Sequence, residues 1–157
     1  IDDGRPGRAA RIRRSLDRGS LHRVVLLGGN GFHHPALLEW AGRYVEGSVF
    51  CDGFFAGSDR PAVQEFRDAH VANFGKDPGM VAAQAHDTIR LVMEALRRAD
   101  WPDRTGVRNA LLDLQGFEGA TGTISIGPEG DARKRLFLLT VRDQRIEEWT
   151  PGTIPDS

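Results

Sequence analysis

Arg23-Val24-Val25-Leu26-Leu27-Gly28-Gly29-Asn30-Gly31 decides the reading of this chain. Two β-branched and two further apolar residues in succession, stopped by a glycine-rich turn, predict a strand buried on both faces that runs into a tight loop. Upstream, Ala9, Ile12 and Leu16 fall three and four apart, with Arg8, Arg11, Arg14 and Arg18 mostly on the other side, which predicts an amphipathic helix over residues 7–17. Downstream, His34-Pro35 opens a second helix carrying Leu37, Leu38, Trp40 and Ala41, and Gly47 ends it. Residues 48–55, rich in Val and Phe, read as the next strand. Helix, strand, turn, helix, strand is the alternation of an α/β fold.

Three more helices follow. One covers residues 61–73 and stops at Gly75-Lys76-Asp77-Pro78. Residues 81–98 carry the strongest helical pattern, with Ile89, Val92, Met93 and Leu96 as apolar positions after a small, polar start. Residues 105–114 form a shorter helix with Val107, Leu111 and Leu114 inward and Thr105 as N-cap. The tail is a β-rich segment, with strands over 122–126, 136–141 and 146–149 and a hairpin turn at 127–131.

The 157 residues fit one domain, or two lobes sharing a chain. A formal net charge of -1 gives no global attraction to nucleic acid or anionic lipid. Cys51 is the only cysteine, which excludes an intramolecular disulfide and a Cys-based zinc cluster. On its strand it reads as a small buried hydrophobe. The longest apolar stretch falls far short of a membrane span. The first residue is Ile1, so the sequence reads as processed or as cut from something longer.

Several clusters contain residue types that can carry chemistry. Gly28-Gly29-Asn30-Gly31 lies where α/β proteins place ligands, at the carboxyl end of a strand, or is an ordinary tight turn; with His34 where a third glycine belongs and no P-loop lysine, it does not read as a phosphate cradle. His33 and His34 point about 100° apart and have no acidic or His partner three or four positions on, so no metal site is expected. His86-Asp87 lacks a Ser or Cys nucleophile in a triad setting and reads as a helix-start pair. Neither catalytic residues nor a cofactor is expected.

Three stretches taken together carry a resemblance: Gly28-Gly29-Asn30-Gly31 into Pro35-Ala36-Leu37-Leu38 and Tyr44-Val45-Glu46-Gly47; Phe66-Arg67 through Phe74-Gly75-Lys76-Asp77-Pro78 into Ala83-Gln84-Ala85-His86-Asp87-Thr88; and Phe117-Glu118-Gly119-Ala120-Thr121-Gly122-Thr123-Ile124 followed by Gly130-Asp131. In this succession the chain resembles the type I periplasmic solute-binding proteins of branched-chain amino acid transporters, and only their C-terminal part. The resemblance implies Rossmann-like lobes that close around a small solute. Residues 1–52 would belong to the second lobe and 53–131 to the first, with 132–149 returning to the second and 150–157 as a tail.

It also implies a ligand site. Asn30 stands where the family often has an Asp or Glu that accepts the solute's ammonium, Phe32 would be an apolar wall beside it, and the helix start with Gln84 and His86 would face the solute. His86 takes the place of a frequent Tyr. Since a neutral amide pairs less strongly with an ammonium than a carboxylate does, an aromatic acid or amide joins branched-chain and aromatic amino acids as candidate solutes. The implied function is non-catalytic capture for uptake by an ABC transporter, with its membrane permease as partner and the periplasm as location. The alternative is a sensory or protein-interaction module of the same fold that self-associates as a homodimer.

Overall fold

The computed structural model describes residues 25–34, 36–100 and 103–150. The expected helix over 7–17 lies outside the described residues. In order, the elements are β1 (Leu27–Gly28), α1 (Leu37–Ala41), β2 (Val49–Asp52), α2 (Pro61–Phe74), α3 (Met80–Arg98), α4 (Arg104–Leu112), β3 (Phe117–Gly119), β4 (Gly122–Ile126), β5 (Ala132–Lys134), β6 (Phe137–Arg142) and β7 (Arg145–Glu148), with 3-10 turns at Asn30–Phe32 and Gly42–Val45. None of the described helices is long and apolar enough to cross a membrane. Two compact units result, one from the described parts of Ile1–Asp52 and Phe137–Ser157, the other from Gly53–Leu136.

The first unit is a four-stranded sheet in the order β1-β2-β6-β7. β1 and β2 run parallel, pairing Leu27 with Val49 and Gly28 with Phe50, while β6 lies antiparallel to β2 and β7 antiparallel to β6. Phe137, Leu139 and Val141 alternate along β6 into a core that also buries Phe32, Leu37, Val45 and Phe50. The single helix expected after His34 is split, because Gly42 has a φ of +52°, outside right-handed helical geometry. The strand expected over 48–55 ends at Asp52, and Cys51 within it is half-buried.

Between β6 and β7, Asp143 and Gln144 both have positive φ, 50° and 58°, as a two-residue type I′ hairpin requires. Neither is glycine. The Glu46 carboxylate accepts the Asp143 N–H at 2.6 Å and the Gln144 N–H at 3.4 Å, and so holds the turn in a conformation its own residues disfavour.

In the second unit, Pro61 starts α2 and left-handed Gly75 stops it. The cap of α4 is Asp103, not Thr105: its carboxylate accepts the Gly106 N–H at 2.7 Å, which places Thr105 inside the first turn. Ala110, Leu114, Val107 and Leu111 pack on Leu91, Ala95 and Ala99 of the α3 segment and on Ile126. The β3-β4-β5 sheet is antiparallel throughout. Ala132–Lys134, read from sequence as part of the return, pairs with β4, and the return to the first unit begins at Phe137.

Asp87 joins helix to sheet. Its side chain is buried and accepts the Ala120 N–H at 2.8 Å and the Thr121 N–H at 2.7 Å, satisfying both donors of the β3–β4 turn. A Cβ on Gly119 would stand 2.6 Å from the same carboxylate, so only glycine allows this approach.

Two outcomes are expected. Replacing Asp87 by Ala leaves two buried N–H groups unpaired and should destabilise the second unit by about 2–4 kcal/mol, seen as amide exchange at Ala120 and Thr121 at least about tenfold faster. Gln144→Gly, relieving a left-handed non-glycine residue, should stabilise the β6–β7 hairpin by about 1 kcal/mol, read as a higher melting temperature.

Candidate functional site

The loop after β1 is drawn into a 3-10 turn in which the Phe32 N–H bonds the Gly29 carbonyl at 2.9 Å and the His33 N–H the Asn30 carbonyl at 3.2 Å. A Cβ on Gly28 would lie 2.7 Å from Phe32, so the fold-back needs glycine there. Asn30 heads the turn and is exposed, offering an amide donor and acceptor. Phe32 is 1% exposed and packs on Phe50 with ring centroids 5.2 Å apart. Its ring fills the core beneath the loop; what it contributes at the surface is the position of its neighbours.

His33, considered from sequence only as a metal ligand, has an acidic partner that lies 19 residues away. Its Nδ1 lies 2.5 Å from Oδ2 of Asp52, a carboxylate at the end of β2 that is only 6% exposed, while the imidazole itself is half-buried. Because β1 and β2 are parallel neighbours, the loop leaving one and the last residue of the other meet at the carboxyl ends of the strands. An imidazole oriented by a buried carboxylate is a fixed polar group, unlike a surface histidine. Next to it, His34 stacks on Trp40 at 4.8 Å.

In the second unit the start of α3 carries the other predicted residues. Gln84 is exposed. A Cβ built on Gly53 would stand 3.1 Å from Met80 Sδ and 3.7 Å from Gln84 Nε2, so the chain passes close beneath this turn of the helix. The His86 ring lies on Phe66 at 4.6 Å, and Phe66 meets Phe54 edge-on at 5.8 Å. Nδ1 of His86 is buried without a hydrogen bond, 3.4 Å from Oδ1 of Asp87. Since that carboxylate already holds two backbone N–H groups, it anchors the helix turn on which His86 is displayed.

Asn30 and His33 thus lie on one loop of the first unit, while Gln84 and His86, two residues apart on α3 of the second, point to opposite sides of that helix. Their amides and imidazoles can donate and accept hydrogen bonds, and the His86 ring, tilted 33° against Phe66, adds an aromatic surface. Among the described residues no cluster of three or more His, Cys, Asp or Glu side chains could hold a metal ion.

Comparison with known proteins sets these features in a family. The model of a periplasmic binding protein matches residues 9–145. A leucine-binding protein from Thermotoga maritima is 26% identical with a TM-score of 0.70, over 94% of this chain and 42% of that one. A protein described as a branched-chain amino acid ABC transporter from Rhodospirillum rubrum is 26% identical with a TM-score of 0.84, over 92% of this chain and 42% of that one. At 16% identity and a TM-score of 0.64, a solute-binding protein from R. palustris in complex with benzoate, 39% of which is covered by 89% of this chain, shares the fold. Among curated protein sequences none matches. The chain therefore spans about two fifths of the length of these solved structures. On the match over residues 9–145, the chain belongs to the periplasmic binding protein family.

Proposed function

We propose that this chain is part of an extracytoplasmic solute-binding protein that delivers an amino acid or a related small acid to the permease of an ABC transporter, without chemical turnover. The observation that carries this reading is the family match over residues 9–145. The first unit corresponds to the second lobe of the whole protein and the second unit to part of the first lobe.

In this reading Asn30, His33, Gln84 and His86 contact the solute, and Phe32 holds the loop that presents Asn30. Asn30 supplies an uncharged amide where a solute ammonium would be met best by a carboxylate. The π-surface of His86 over Phe66 favours a flat or branched apolar group. Both features suit an aromatic acid at least as well as leucine. A solute-binding protein of the same fold holds benzoate, and the leucine-binding relative covers the other class. Periplasmic location follows from the same reading.

A thermal-shift series with leucine, isoleucine, phenylalanine and benzoate tests it. Solute at a hundred times its dissociation constant should stabilise the chain by about 2.7 kcal/mol, a rise of about 5–10 °C in melting temperature. Asn30→Ala and His86→Ala should abolish the rise, and Asn30→Asp should move the preference toward the amine-bearing solutes by about tenfold. No shift with any of the four would refute the proposal.

A further inference from the structure

Arg104, Val107, Arg108, Leu111 and Leu112 of α4 border a pocket of about 510 Å³ within the second unit. They stand at i, i+3, i+4, i+7 and i+8, and so form one stripe of the helix, basic toward its N-terminal end and apolar toward its C-terminal end. Ile126 at the end of β4 and Glu129 in the β4–β5 turn close the other side. The volume is that of a small-molecule site. None of these residues is among the solute contacts proposed above.

Both walls are held in place. At the N-terminus of α4 the Asp103 carboxylate is engaged by the Gly106 N–H at 2.7 Å. Beyond its C-terminus the Ile126 N–H bonds the Leu114 carbonyl at 2.9 Å, and the Gln115 side-chain amide donates to the Ile126 carbonyl at 2.9 Å. The turn that carries Glu129 is closed by the Gly127 N–H on the Asp131 carbonyl at 2.7 Å and the Gly130 N–H on the Gly127 carbonyl at 2.9 Å. Val107, Leu111 and Ile126 pack inward against Ala95, Ala110 and Leu114, yet stay half-buried, as does Leu112. The surface they leave uncovered faces the pocket. Walls fixed in this way need little ordering when a ligand enters.

Charge selects the occupant. Arg104, Arg108 and Glu129 are exposed, and among the described residues none of their side chains has an ion-pair partner, whereas Arg133 pairs with Asp131 and both Arg97 and Arg98 with Glu94. Two guanidiniums less one free carboxylate leave one positive charge in excess beside an apolar floor. A single carboxylate complements it, since guanidinium forks bind carboxylates through paired, charge-assisted hydrogen bonds. The polarity of the stripe then sets that of the ligand. Its acid group lies at Arg104 and Arg108, and its apolar body along Val107, Leu111, Leu112 and Ile126, over about 12 Å of helix axis.

We propose that this pocket is a second binding site, for a small amphipathic monocarboxylate of the medium-chain fatty acid type. Glu129 repels a second negative charge on the ligand and so selects against dicarboxylates.

Octanoate titrated into the 157-residue chain, with amide chemical shifts as the readout, tests the assignment. Shifts over residues 104–112 and 126–130 should saturate at or below about 10 mM octanoate. Octanamide, which has the same shape without the charge, and octanedioate, which adds a second one, should each bind at least about tenfold more weakly. Arg104→Gln and Arg108→Gln should each weaken octanoate at least about tenfold while keeping the helical circular dichroism of the chain. Arg145→Gln, on β7 of the first unit, should change nothing. Shifts that do not saturate, shifts centred elsewhere on the chain, or equal affinity for octanamide or in the Arg108→Gln variant would overturn the proposal.

Discussion

The carboxylate of Asp87 accepts the N–H groups of Ala120 and Thr121, and the second unit is arranged around that contact. A buried carboxylate is tolerated only where its lone pairs are satisfied, and a turn with two inward N–H groups needs an acceptor from elsewhere. Each solves the other's problem. The contact fixes the rotation of α3 about its axis, puts the adjacent His86 ring on Phe66, and turns the large aliphatic residues of the helix outward. Gly119 is the counterpart in the chain, since any larger residue there would occupy the place of the carboxylate.

In the first unit the equivalent constraint is the parallel pairing of β1 with β2. Parallel neighbours have their carboxyl ends on the same side, and a short loop at one end can reach the last residue of the next strand. That is how His33 meets Asp52 and how Asn30 is carried to the surface, with Phe32 pinning the loop from below.

Much of this was legible in the residues. The stop at Gly75 and the long helix ending at Arg98 are local signals of left-handed cap and amphipathic period, and local signals survive in a sequence; the run Arg23–Leu27, read as a strand buried on both faces, is among the described residues only the two-residue β1, Leu27–Gly28, with Val25 and Leu27 exposed. The succession of modest motifs also gave the family. What escaped depends on neighbours distant in the chain. The His33–Asp52 pair requires knowing that two strands are parallel and adjacent. The apolar series on α3 shows its period but not which side is covered. The break at Gly42 and the cap at Asp103 were readable in principle, from a glycine within the helix pattern and an acid three residues before Gly106. The second predicted cluster, Gln84 and His86, was reached through resemblance alone, and the aromatic support under His86 from Phe54 and Phe66 carried no sequence signature.

The first unit is assembled from two stretches of chain, with β2 pairing β6 across the whole length of the second unit: Asp52 opposite Phe137, Val49 opposite Thr140. Contacts of such long range form late, because the intervening loop must be closed before they contribute. During synthesis the inserted unit, residues 53–136, emerges whole while β2 still lacks its neighbour β6. A defect in that unit, at Asp87 for example, would be felt as an open sheet edge on β2.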